Sequence, residues 1–84
     1  MATPLNPVTL SPEQIEALNS RFADTRHDIN NHLSLIVAAV ELIKRKPESV
    51  ERMAANIAAQ PDKIMKDMRA FTEAFEQALG ITRE

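Results

Sequence analysis

The sequence predicts an all-α fold: a long antiparallel helical hairpin that dimerises into a four-helix bundle. Three observations predict it. Apolar residues recur at steps of three and four through two long segments, which is the period of a helix face. A short proline-marked connection separates the segments, and short connections place neighbouring helices antiparallel. The 84 residues contain a single Gly and no aromatic other than three Phe, with Ala, Leu, Ile and Met supplying much of the apolar content, so the composition favours helix over strand.

Residues 1–10 hold two prolines and no helical period, and are expected to form an extended, flexible arm. Ser11-Pro12-Glu13-Gln14 starts the first helix: Ser11 caps, Pro12 suits the first helical position, and Gln14 completes a capping box. Ile15, Leu18, Phe22, Ile29, Leu33, Ile36, Val40 and Ile43 mark its apolar face. Lys44-Arg45-Lys46 suits the negative end of the helix dipole, and Pro47 ends the pattern. The first helix is therefore expected over 11–46, roughly 50 Å long at 1.5 Å per residue.

A second helix is expected over 48–79. Its stripe runs Val50, Met53, Ile57, Ile64, Met68, Phe71, Phe75 and Leu79, and Gly80 suits a left-handed C-cap. Pro61 lies inside this helix, removes a backbone donor and crowds the preceding turn, so a kink or short break is expected near Ala58–Asp62. Residues 81–84 are expected to form a polar tail. The chain starts with Met and ends just beyond a helix cap, so it is expected to be a complete small protein.

Size and composition narrow the functional classes. A chain this short usually needs a staple or a partner to stabilise it. The absence of Cys removes disulfides and thiolate metal sites. With two His and no clustered carboxylate pair, no metal and no cofactor is expected, and homo-oligomerisation is the favoured source of stability. A net charge of −2 gives no reason to expect nucleic acid or an anionic membrane as partner. The longest wholly apolar run, Leu35 to Val40, falls far short of the ~20 residues of a membrane span. The first basic residue is Arg21, so there is no secretory n-region and a cytoplasmic location is expected.

Chemistry concentrates on the first helix. With Phe22 and Ile29 at heptad position a, Ile15, Ile36 and Ile43 also fall at a, while Leu18, Thr25, His32 and Ala39 fall at d. Asp24, His27, Asn31 and Ser34 then share one polar stripe pointing away from the seam. A histidine there is open to another protein. An exposed helical histidine is more often merely solvated, so the weight falls on its neighbours. Asn30 and Asn31 are poor mid-helix residues, which favours a purpose for them.

Residues 26–36 run Arg-His-Asp-Ile-Asn-Asn-His-Leu-Ser-Leu-Ile. This segment resembles the phosphoacceptor box of histidine kinases, in the His-Asp-x-Asn-Asn-x-Leu form of hybrid kinases. The close resemblance covers about residues 26–43; the rest agrees in pattern, as a helical hairpin with a short link. It implies a dimerisation and phosphoacceptor domain in which His27 accepts a phosphoryl group, Asp28 acts as base or orients the ring, and Asn31 contacts the phosphoryl group or a hydrolytic water. Implied partners are a second copy of the chain, and a response-regulator receiver domain or a histidine-kinase catalytic domain.

Asn30 matches the box but faces elsewhere, which suggests a structural role. His32 stands where family members usually carry an aliphatic residue, and is expected to be a partly buried core or dimer-seam histidine. Met53, Met65 and Met68 are expected as core filler. Nothing here resembles an ATP-binding domain or a receiver domain, so the chain is no autonomous kinase. The expected function is phosphotransfer in two-component signalling through His27. The alternative is a non-catalytic dimerisation or adaptor protein that docks on a kinase or receiver domain.

Overall fold

A computed structural model describes residues 6–80. Helix α1 spans Pro12–Arg45, a single 3-10 turn spans Pro47–Ser49, and helix α2 spans Val50–Leu79. The connection is too short to let α2 do anything but turn back along α1. Contacts such as Phe22 with Phe71 and His32 with Gln60 confirm the antiparallel arrangement.

The start of α1 is the capping box expected from its sequence. Ser11 Oγ accepts from the Gln14 N–H at 3.1 Å, and Gln14 Oε1 accepts from the Ser11 N–H at 2.8 Å. Two donors that a helix start leaves orphaned are thus satisfied locally. At the other end Lys46 leaves helical geometry and donates its N–H to the Leu42 carbonyl. Ser49 Oγ donates to the Lys46 carbonyl at 2.7 Å and is buried, which ties the turn to the helix end. The turn uses 47–49, so α2 begins at Val50 rather than at residue 48. Gly80 ends α2 at φ 67°, a left-handed value that favours glycine. Residues 6–10 carry no regular secondary structure; the rest of the proposed arm and the tail at 81–84 lie outside the described residues.

α2 runs without interruption through Pro61, so no break is present. Neighbouring turns hold the helix on both sides. The Asn56 carbonyl accepts from Gln60 Nε2 at 3.1 Å, adding a side-chain bond to the turn just ahead of the proline. Pro61 itself is exposed, and the carbonyl left without its N–H is that of Ile57, one turn back.

The two helices lie side by side in a slab whose Cα atoms span 57 × 28 × 12 Å. That is one helix thick. Among the described residues the buried apolar side chains are Ala39 and Met53, and neither is fully enclosed. Ile29, Ile36 and Ile43 of α1 and Ile57, Ile64 and Phe71 of α2 are half-buried between the helices. Phe22, Phe71 and Phe75 form a tilted aromatic row with centroids 5.4 and 6.1 Å apart. Leu18, Phe75 and Leu79 are also half-buried, but much of the expected stripe is not covered. Ile15, Phe22, Leu33, Val40, Met65 and Met68 are exposed in the hairpin, although Met65 and Met68 had been expected as core filler. The reason is geometric: one partner helix covers only part of a stripe that spans positions a, d and e.

Candidate functional site

The polar stripe of α1 lies where its spacing puts it. Asp24, His27, Asn31 and Ser34 are all exposed; Asp24 borders the groove against α2, while His27, Asn31 and Ser34 line none of the depressions between the helices. Asn31, one turn beyond His27, directs its Nδ2 at His27 Nε2 from 3.5 Å. The contact is long for a hydrogen bond, but its sense is informative. An amide N–H needs an acceptor, so Nε2 presents its lone pair and the neutral ring carries its hydrogen on Nδ1. In that arrangement Nε2 carries the lone pair, facing the Asn31 amide on an exposed residue.

Asp28 is also exposed, but no hydrogen bond joins it to His27 in the described hairpin; the ring's partner is Asn31. A residue next in sequence on a helix is turned by about 100°, which carries Asp28 toward the groove between the helices. There it lines a shallow depression of about 200 Å³ with Arg21, Asp24, Asp67 and Ala70. Three carboxylates against one guanidinium give that side of the stripe a negative field. Arg26 turns the opposite way and sits 5.6 Å over the Phe22 ring. Asn30 borders the groove on that same apolar side, away from His27.

The other histidine is built into the fold. His32 is half-buried against α2, inside the hairpin rather than on its outer faces. Its Nδ1 lies 3.0 Å from Gln60 Oε1. Because Gln60 Nε2 is already donating to Asn56, the oxygen must face the ring and Nδ1 must donate. Nε2 of His32 lies 3.1 Å from Asp67 Oδ2. That buried oxygen has no aligned hydrogen-bond donor, so this contact is a charge pair when the ring is protonated and not a directed bond. Both ring nitrogens of His32 face α2, Nδ1 toward Gln60 and Nε2 toward Asp67, so neither is presented on the outer surface of α1.

The His32–Gln60–Asp67 cluster was only half anticipated from the sequence. The heptad register places His32 partly buried in the core or dimer seam, without identifying what it meets there. The signal was present. Ile57, Gln60, Ile64, Asp67 and Phe71 alternate steps of three and four, which places Gln60 and Asp67 on the face that carries the apolar stripe. Two polar residues there require a polar partner across the seam, and His32 is the polar residue of α1 at the matching depth.

No helix among the described residues is long and apolar enough to cross a membrane. No protein-family model, curated protein or solved structure matches this chain.

Proposed function

We propose that this chain is a histidine phosphoacceptor and phosphotransfer module of a two-component system, working as a homodimeric four-helix bundle. His27 Nε2 attacks the phosphorus of a donor held by another protein: an aspartyl phosphate on a receiver domain, or a nucleotide on a kinase catalytic domain. A P–N bond forms as the bond from phosphorus to the donor's carboxylate or diphosphate oxygen breaks. The ring then sheds its Nδ1 proton, for which Asp28 is the nearest carboxylate in sequence. Transfer onward runs the same steps in reverse, with a receiver carboxylate as nucleophile.

The observation that carries this reading is the placement of His27. His27 is exposed on the outer side of α1, with the Asn31 amide one turn away on its Nε2. That amide is placed to donate to a phosphoryl oxygen on Nε2 once the group is attached. Neither nearby guanidinium is directed along the stripe: Arg21 lines the acidic groove and Arg26 packs on Phe22. The positive charge needed to offset the phosphoryl oxygens is therefore assigned to the partner or its metal.

The test is incubation with phosphorylated receiver domains, and with an active kinase catalytic domain, followed by detection of acid-labile, alkali-stable label. Label on the wild type that disappears in His27→Ala supports the reading. A second reading draws on the absent Asp28–His27 bond: the module is an adaptor that docks on a kinase or receiver without accepting phosphate. Binding to such a domain with no label under any donor selects it.

A further inference from the structure

One polar cluster lies outside the phosphoacceptor stripe and serves no step assigned to it. His32, Gln60 and Asp67 meet across the seam between the helices, and Gln60 is only 5% exposed. Gln60 Nε2 donates to the Asn56 carbonyl at 3.1 Å, which leaves Gln60 Oε1 facing His32 Nδ1 at 3.0 Å. On the other side of the ring, Nε2 stands 3.1 Å from Asp67 Oδ2, a buried oxygen that accepts no hydrogen bond.

A neutral imidazole carries one hydrogen and cannot serve both sides. With the hydrogen on Nδ1, the Nε2 lone pair confronts the carboxylate oxygen. With the hydrogen on Nε2, the Nδ1 lone pair confronts Gln60 Oε1. Turning the Gln60 amide over relieves that contact but sets its oxygen against the Asn56 carbonyl. Every neutral form therefore leaves two acceptors face to face in a partly buried seam, which is costly. Only a ring with a hydrogen on each nitrogen satisfies Gln60 and also sets a positive charge beside Asp67.

We infer that the seam is a proton-binding site: one proton, held between His32 Nε2 and Asp67 Oδ2, clasps α1 to α2 near mid-length, and the hairpin loosens when it is lost. The inference stands apart from the phosphoacceptor reading, since neither His27 nor Asn31 takes part. The surrounding charges agree with it. On α1, Asp28 precedes His32 by one turn, and it lines one depression with Arg21, Asp24 and Asp67, three carboxylates to one guanidinium. On α2, Lys63 lies between Gln60 and Asp67 along the helix and is exposed, where water and salt weaken its opposition. The direction follows from proton counts. The folded seam keeps a proton that an open chain, with its histidine in water, releases increasingly above about pH 6.5. Stability that depends on a proton held in the folded state is present at lower pH and is lost as the pH rises.

The test follows the urea midpoint of the full chain, at fixed protein concentration, from about pH 6 to about pH 8.5. The wild-type midpoint should fall across this range. Asp67→Asn puts an amide donor opposite a neutral Nε2, so the variant needs no proton and its midpoint should hold steady. Nitrogen NMR of the two histidine rings gives a readout without substitution. At about pH 7, where a free imidazole is mostly neutral, His32 should carry hydrogens on both ring nitrogens in the wild type and on one alone in Asp67→Asn. His27, exposed and outside the seam, is the reference in each spectrum. A wild-type His32 with one bare nitrogen at that pH overturns the inference, as does a pH dependence that survives Asp67→Asn unchanged. Should Asp67→Asn fail to fold, the wild-type spectrum alone decides. Labelling at His27 is a separate measurement and judges the phosphoacceptor reading on its own.

Discussion

His27 and His32 stand five residues apart, and helix geometry gives them opposite roles. His27 lies on the exposed stripe, where its loss removes no packing. His27→Ala should change stability by no more than about 0.5 kcal/mol in a thermal or urea melt, and should abolish labelling completely. Asn31→Ala should spare acceptance and change the lifetime of the phosphorylated form, followed by decay of the label. Asp28→Asn should slow transfer in both directions if its carboxylate serves the ring; unchanged rates would agree with the absent hydrogen bond and remove Asp28 from the site. His32 behaves differently. His32→Ala strips Gln60 Oε1 of its donor and removes the ring beside the buried Asp67 Oδ2, and should destabilise by about 2 kcal/mol without touching the acceptor nitrogen. Replacing His32, Gln60 and Asp67 together by Leu should restore or raise stability, since no polar group is then left half-buried.

At the scale of single elements, local signals account for where the helices begin and end. The Ser11–Gln14 box, the stop at Pro47 and the Gly80 cap are chemical consequences of residues within a few positions of each boundary. Gly80→Ala places a Cβ in the left-handed region and should destabilise by about 1 kcal/mol, although nothing crowds the site. Pro61 was harder. A lone proline inside a helical pattern is compatible with a kink, a break or an unbroken helix, and local sequence does not choose between them. Here the apolar register from Ile57 to Ile64 continues against α1, and packing outweighs one lost hydrogen bond. Pro61→Ala should therefore stabilise the fold by about 1 kcal/mol or more in a denaturant titration. Marked destabilisation would show that the proline is needed where it stands.

Across the whole molecule the apolar surface exceeds what two helices can hide. Ile36 faces α2, so Ile36→Asp buries a carboxylate inside the hairpin and should unfold it, seen as loss of helical circular dichroism. The sequence by itself determined the helices, their order, their caps and the outward direction of His27. Each depends on residues within a turn or two of one another, and a 3.6-residue period assigns a face without knowledge of any neighbour. Only the tertiary structure decided which half of the apolar stripe meets α2 and which half stays exposed. It alone also decided that His32 closes on Gln60 and Asp67. Those outcomes depend on how one helix is rotated against another, which is set by the summed packing of the seam and not by any local run of residues.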